Sequence, residues 1–380
     1  MIIGIDIRPL MDQNRSGVGE YVTQLLDNLF KIDQTNQYKL FYNSFRSVAA
    51  DLPKWDYPNV RFYGWRLPNK LLSLSFLFLG WPKIDKLIGG CDVFIIPNLC
   101  YFSLSKGCHQ VGIVHDLSFE LYKEFYKRKW RLSYWLINAR NIFKRADQLV
   151  AVSQNTKDDL IKCYGIAEEK IEVIYPGVRE PVLPDGGRQQ LVNLPERFIL
   201  MLGTREPRKN LIGIVRAFER IKTESGDLDL GLVIAGGSGW LNAAVDRAIK
   251  KSNFKKDIKV LGYVSEEVKT ELYRQADVFI YPSFYEGFGF SPLEAMQQGC
   301  PVITSLSPAT AEIAGGAALL VNPYNISEMA EAIEKITNYE LRIKDLLINK
   351  GLERAKGFNW ETTARKVLDL INSFEFLAKS

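Results

Sequence analysis

Histidine is scarce in this chain: only His109 and His115 occur in 380 residues. Five cysteines are scattered at positions 91, 100, 108, 163 and 300, and none forms a CxxC pair. Such dispersed ligands argue against a structural zinc site, and an odd number of isolated thiols argues against a disulfide framework. The cysteines read as core fillers. No Asp-x-Asp pair stands at the carboxyl end of an expected strand, so no catalytic metal is expected. A long apolar run is also missing. The most apolar stretch, Leu71 to Trp81, is about eleven residues long and interrupted by Ser73 and Ser75, too short to span a bilayer. It reads as a helix buried in the first domain or, flanked by Lys70 and Lys83, as an interfacial element, with burial the preferred reading. The chain opens Met1-Ile-Ile-Gly-Ile-Asp6-Ile, a strand pattern rather than a basic segment followed by an apolar stretch and a cleavage site. A cytoplasmic location is therefore expected, and the interfacial reading would add peripheral attachment at the inner face of the cell membrane.

What is present suits two compact α/β domains. The length is generous for one core, and 47% hydrophobic residues support compact folding throughout. The net charge of +5 is uneven. Up to Val178 there are 23 Lys and Arg against 18 Asp and Glu, whereas the remainder has 26 of each. Part of the excess lies in Lys123–Arg131, where Phe125, Tyr126 and Trp130 interleave with cations and Tyr134 and Trp135 follow. Such a stretch fits an anionic lipid surface or a pyrophosphate-bearing acceptor, or is an ordinary solvated helix face. No nucleic-acid recognition module accompanies it, and no nucleic-acid partner is expected.

Strands and helices alternate along both halves. In the first, strands are expected at Ile2–Ile7, Tyr38–Tyr42, Asp92–Ile96, Gln110–Val114, Gln148–Val152 and Ile171–Tyr175. Helices fall at Gly19–Phe30 and Trp130–Arg145, with Ser153 capping a third that starts at Thr156. Pro and Gly mark a linker over Pro181–Gln190. In the second half, strands are expected at Phe198–Leu202, Leu230–Ala235, Ile258–Leu261, Val278–Tyr281 and Val302–Thr304, with helices at Leu211–Lys222, Trp240–Ile249, Ser265–Gln275 and Pro292–Gln298. The alternation predicts two mostly parallel sheets covered on both faces, over 1–178 and 179–358, facing a central cleft. A terminal helix is expected in 359–380.

The strand at Val278–Tyr281 runs into Glu286-Gly287-Phe288-Gly289-Phe290-Ser291-Pro292-Leu293-Glu294. The two glycines remove side chains where backbone N–H groups can approach an anion, and Pro292 suits a helix's first turn. Glu286 and Glu294 flank that turn at a strand's carboxyl end, where open α/β sheets place ligands, with Glu294 expected in the first helical turn. A second strand–glycine–helix passage, Gly203-Thr204-Arg205-Glu206-Pro207-Arg208-Lys209-Asn210, offers Arg205 and Lys209 to neutralise a diphosphate leaving group. Arg208 reads as a surface charge. The loop with Gly17 and Gly19 lacks the GxGxxG dinucleotide pattern. His115, followed by Asp116, ends the strand Gln110–Val114.

These motifs, continuing through Ala295-Met296 to Gly299-Cys-Pro301-Val302, resemble the Glu-x7-Glu signature of the retaining glycosyltransferases of family 4, and the likeness runs along nearly the whole chain. Phe290 and Ser291 stand where Leu and Pro are commoner. Ala309–Ala311 separates Pro308 from Glu312 where the family has Pro-Glu directly. The resemblance implies a GT-B fold whose last helix crosses back to brace the first domain. It also implies a nucleotide-diphosphate sugar donor on the second domain and an acceptor on the first. Glu294 would hold the donor ribose and Glu286 lie by the donor sugar. The backbone of Gly287, Phe288, Gly289, Phe290 and Ser291 would contact sugar and phosphate, and the Gly203 turn with Arg205 and Lys209 would meet the diphosphate. Gly17 and Gly19 would close over the phosphates, His115 line the sugar pocket, and Asp116 shape the acceptor side.

The expected activity is metal-independent transfer of mannose from GDP-mannose, with retention, to a glycan or polyprenyl-pyrophosphate-linked acceptor in cell-surface polysaccharide assembly. UDP- or ADP-glucose and rhamnose donors are the alternatives within the class. A nucleotide-sugar epimerase would need acid and base groups on both faces of the sugar. A non-catalytic glycan-binding partner subunit would not need Arg205, Lys209, Glu286 and Glu294 together. A homo-oligomer is compatible with the sequence.

Overall fold

The computed structural model describes residues 1–11, 17–44, 52–183, 193–224, 226, 229–240, 242–339 and 341–377. Most of the linker expected over 181–190, and Arg15 with Ser16 before the first glycine-rich turn, lie outside the described residues. The chain divides into two compact units, Met1–Gly177 with Asn359–Ser380, and Val178–Phe358.

The first unit is built on seven parallel strands: β1 (Ile2–Asp6), β2 (Gln37–Asn43), β3 (Val60–Trp65), β4 (Val93–Ile96), β5 (His109–Val114), β6 (Gln148–Ala151) and β7 (Ile171–Val173). Their order is β3-β2-β1-β4-β5-β6-β7, and Ile5 pairs with Leu40 on one side and Ile95 on the other. Its helices are α1 (Gly17–Ile32), α2 (Asn69–Leu79), α3 (Ile84–Leu87), α4 (Ser118–Leu121), α5 (Arg128–Ile137), α6 (Ala139–Arg145) and α7 (Gln154–Tyr164). Central β4 is buried along its whole length, as a strand covered on both faces requires. Ser153 caps α7 by accepting from Thr156 N at 3.1 Å, so this helix starts two residues before the expected Thr156.

Two expectations change here. Trp130–Arg145 is not one helix: Asn138 adopts the left-handed conformation at φ 53° and separates α5 from α6, a geometry that Asn tolerates better than most residues. The Leu71–Trp81 stretch is only half buried. Leu72 and Phe76, four residues apart on one helix face, enter a cluster with Phe41, Ile88 and Phe94, whereas Leu71, Leu74, Phe78, Leu79 and Trp81 are exposed.

The second unit carries six parallel strands: β8 (Arg197–Leu202), β9 (Leu230–Ala235), β10 (Ile258–Gly262), β11 (Val278–Tyr281), β12 (Val302–Ser305) and β13 (Leu319–Val321). The order is β10-β9-β8-β11-β12-β13. The helices are α8 (Leu211–Glu224), α9 (Ala243–Lys251), α10 (Glu266–Gln275), α11 (Phe290–Gln297), α12 (Pro308–Ala314), α13 (Ile326–Glu334) and α14 (Leu341–Lys356). Ile214, Phe218 and Ile221 line the inner face of α8 and pack on Leu232 and Ile234 of β9. After Phe358 the chain returns to the first unit as α15 (Trp360–Leu377), which packs against α1. Trp360 meets Tyr21 edge-on at 5.2 Å, and Thr363 Oγ1 donates to Tyr175 O at 2.8 Å. Gly177 is required there, because a Cβ would fall 2.2 Å from Trp360 N.

Candidate active site

The second sheet reverses its strand order between β8 and β11, so the loops leaving their carboxyl ends diverge and open a crevice of the kind in which such sheets hold ligands. After β8 the chain makes the Gly203 turn and a short 3₁₀ turn at Pro207–Lys209; after β11 it runs from Pro282 to Gly289. Phe284 N donates to Arg208 O at 2.9 Å and ties the two loops together.

Glu286 is the focus of this junction. Its carboxylate accepts from Lys209 Nζ at 2.6 Å and from Arg208 at 2.8 Å, and Arg208 also donates to Tyr285 O and to Glu206. Lys209 Nζ bonds the Tyr281 hydroxyl and lies 4.5 Å from the centre of its ring, a cation–π geometry. Glu206, Lys209 and Glu286 are all buried, so these charges interact with little screening. Burial alone would raise the Glu286 carboxyl, but Arg208 and Lys209 outweigh it and hold it down at about 2. Burial would lower Lys209, but Glu286, joined by smaller contributions from Tyr281 and Glu206, outweighs it, so its pKa is raised. Burial and then Glu286 push Tyr281 up to about 12. At neutral pH Glu286 is therefore a carboxylate and Lys209 an ammonium, with Tyr281 a neutral hydroxyl.

Beyond Glu286 the turn reaches Gly289 at φ 93°, a left-handed conformation suited to glycine, which starts α11 at Phe290 rather than at Pro292. Glu294 is consequently the fifth residue of α11 and not in its first turn. Its carboxylate accepts from Lys269 Nζ and the Tyr273 hydroxyl, both at 3.0 Å, and both donors sit on α10. Burial lowers and Glu294 raises the Lys269 ammonium, with a net rise; burial and Glu294 both drive the Tyr273 phenol well up. Gly287 and Phe288 are buried, with Phe288 packed on Phe290 and Phe358. Phe290 and Ser291 are half-buried at the helix start.

The remaining expected residues lie elsewhere. The Arg205 guanidinium pairs with Asp246 of α9 at 3.1 Å, away from the Glu286 carboxylate, while the Gly203 N–H is bonded to Ala235 O. Arg208, expected to be a surface charge, takes the place by Glu286 because its side chain is largely buried between Glu206 and Glu286. In the first unit, Gly17 and Gly19 form the opening turn of α1. His115 follows β5, and its Nε2 contacts Pro97 O at 2.8 Å; a carbonyl can only accept, so Nε2 carries the proton. Tyr21 meets the imidazole edge-on at 4.8 Å. Burial lowers the His115 pKa against the opposing effects of Pro97 and Asp116, which keeps the ring neutral at pH 7. Asp116 accepts from Ser118 N at 2.9 Å and Oγ at 2.5 Å.

Sequence reasoning missed Arg208, Tyr281, Lys269 and Tyr273. Tyr281 was legible as the last residue of a strand whose end bears the motif. Lys269 and Tyr273, four apart on α10, share a helix face, but nothing local says what that face meets. Among the described residues no group of three or more His, Cys, Asp or Glu is placed to hold a metal ion. No helix among them is long and apolar enough to cross a membrane.

Residues 15–180 match Glycosyltransferase Family 4, and residues 187–351 match Glycosyl transferases group 1. The O-antigen chain mannosyltransferase B of Escherichia coli is 27% identical over 376 residues, covering 95% of this chain and 96% of that protein. Among solved structures, sucrose-phosphate synthase from Thermosynechococcus elongatus superposes with a TM-score of 0.74 at 19% identity, over 100% of both chains. Anabaena HepE, solved in complex with UDP-glucose, gives 0.70 at 17% identity over 98% of this chain and 100% of that one.

Proposed function

Because the chain is a glycosyltransferase of the GT-B fold, with a family 4 first domain and a group 1 second domain, we propose that it transfers a hexose from a nucleotide-diphosphate sugar to a cell-surface glycan or a polyprenyl-pyrophosphate-linked precursor, with retention at the anomeric carbon. The second unit is the donor domain and the first the acceptor domain in this reading. The observation that carries it is the buried meeting of Arg208, Lys209 and Glu286 beside the Gly289-opened start of α11.

The reaction needs positive charge where a nucleoside diphosphate departs, because negative charge grows on its phosphate oxygens as the bond to the anomeric carbon breaks. Fixed cations act more strongly on that charge than on the substrate. Arg208 and Lys209 supply them, sharing their donors between Glu286 and the diphosphate, and the backbone N–H groups at Phe290 and Ser291 add the positive end of α11. Arg205, restrained by Asp246, is a more distant contact to the same diphosphate beside the Gly203 turn. Glu286 steadies positive charge developing on the sugar. Glu294 is steered by Lys269 and Tyr273 and keeps lone pairs for the ribose hydroxyls. His115 of the first unit is neutral and restrained by Pro97, so it offers the Nδ1 lone pair to a hydroxyl of a bound sugar. No step in this scheme calls for a metal ion.

Mannose from GDP-mannose is the first reading of the donor, supported by the end-to-end similarity to a mannosyltransferase of O-antigen chains. UDP-glucose is the second, favoured by the fold's likeness to HepE with that ligand. A panel of GDP-, UDP- and ADP-sugars, read by thermal shift and by nucleoside diphosphate release, separates them. Selective response to GDP-mannose supports the first reading; selective response to UDP-glucose replaces it with the second.

A further inference from the structure

Helices α2 and α5 of the first unit leave apolar side chains in water. On α2 the inward residues Leu72 and Phe76 are buried, while Phe78 is 74% and Leu79 73% exposed, and Trp81 beyond the helix is 65% exposed. None of the ten residues of α5 is buried, and its Trp135 is 75% exposed. One short segment holds both elements: Ser103 Oγ donates to Gly80 O at 2.7 Å at the end of α2, and the Tyr101 hydroxyl donates to Ser133 O at 3.4 Å in α5. The two elements are thus held by residues only two apart. Large exposed apolar side chains gathered on neighbouring elements of one unit mark a contact with another phase or partner.

The charge beside it selects the occupant. Arg128, Lys129 and Arg131 on α5 are exposed, and among the described residues no carboxylate pairs with them. Cations flanking Trp, Phe and Leu are the composition of an element that lies in a bilayer interface, with rings at headgroup depth and basic groups against anionic headgroups. A second copy of the same face would set this basic cluster against like charge. We infer that α2, Trp81 and α5 together form a docking surface for an anionic phospholipid bilayer. The surface rests on the first unit alone and goes beyond the transfer reaction, so it stands or falls separately from the donor assignment.

The test is flotation of the full chain with vesicles of phosphatidylglycerol and phosphatidylcholine, and with phosphatidylcholine alone. The chain should float with the anionic vesicles only, shift its tryptophan emission to the blue, and bind on the order of tenfold more weakly as salt rises to about 1 M, where charge is screened within about 3 Å. The variants Phe78→Ser with Leu79→Ser and Trp81→Ser, and separately Arg128→Gln with Lys129→Gln and Arg131→Gln, should each lower partitioning at least about tenfold. They should leave the melting temperature and the nucleotide-induced thermal shift unchanged. Absence of flotation, or flotation indifferent to both variant sets, overturns the inference. So does sedimentation showing a dimer that the apolar variant dissociates, since a second copy would then cover the face.

Discussion

Replacing Glu286 by Gln tests the charge cluster through stability before any substrate is known. The substitution keeps the shape of the side chain and removes its charge, leaving Arg208 and Lys209 largely buried with one fewer counter-ion. Holding a carboxyl that ordinarily titrates at 4.5 down to about 2 corresponds to roughly 3 kcal/mol of preference for the charged form. Breaking a buried ion pair from one side typically costs about 3–5 kcal/mol, which agrees. The sign follows from linkage. The folded carboxyl has the lower pKa, so its contribution is full above about pH 4.5 and is lost as pH falls toward about pH 2. Glu286→Gln has no such dependence. Urea unfolding followed by circular dichroism, with the two units' transitions fitted separately, should show the second unit weakened by about 3 kcal/mol at neutral pH, with the gap to the parent narrowing below about pH 4.5. Equal stabilities at neutral pH, or a gap that stays constant on acidification, would refute the reasoning.

Arg208→Ala and Lys209→Ala should each slow nucleoside diphosphate release by about a hundredfold or more, and Arg205→Ala by less than about tenfold, because only the first two share Glu286. Initial rates rank them, and a larger loss for Arg205→Ala would return the diphosphate contact to that residue. Glu294→Ala should mainly weaken donor binding, by about tenfold, and Glu286→Ala should mainly slow transfer once the donor is bound. Donor titration paired with single-turnover measurements distinguishes the steps, and a reversed pattern would exchange the two roles. His115 should titrate below 6.5 by NMR in the folded chain, assigned with a His109→Asn variant. The unfolded state then takes up the proton first, so the first unit should lose stability as pH falls below about 6.5, an effect absent from His115→Asn.

The sheets were legible because their central strands are short apolar runs between turns: Leu230–Ala235 and Val278–Tyr281 form strands over those very residues. Of the edge strands, β7 and β10 fall on expected runs, whereas β3 and β13 escaped. Along β3, Arg61, Gly64 and largely exposed neighbours dilute the apolar signal, and β13 has only three residues. The Glu286 to Glu294 passage was legible because strand, glycine turn and helix start are local chemistry. Its exact wiring was not. Whether Arg205 or Arg208 faces Glu286 depends on how the 3₁₀ turn at Pro207–Lys209 rotates successive side chains, and that turn is fixed partly by the distant Phe284 N–H. The partners of Glu294 come from a separate helix, α10, and the exposure of Phe78 and Leu79 depends on what the rest of the first unit leaves uncovered. These are consequences of packing, which apolar periodicity alone does not specify.

The central claim is that Arg208 and Lys209, braced by Glu286, hold the diphosphate of a nucleotide-sugar donor. Calorimetric titration of the parent and Lys209→Ala proteins with GDP, UDP and ADP, alongside the corresponding nucleosides, measures that contact without needing the acceptor. The account predicts that one diphosphate binds the parent much more tightly than its nucleoside and that Lys209→Ala removes most of the difference. A parent that binds nucleoside and diphosphate equally, or a Lys209→Ala variant that keeps the full difference, would contradict it.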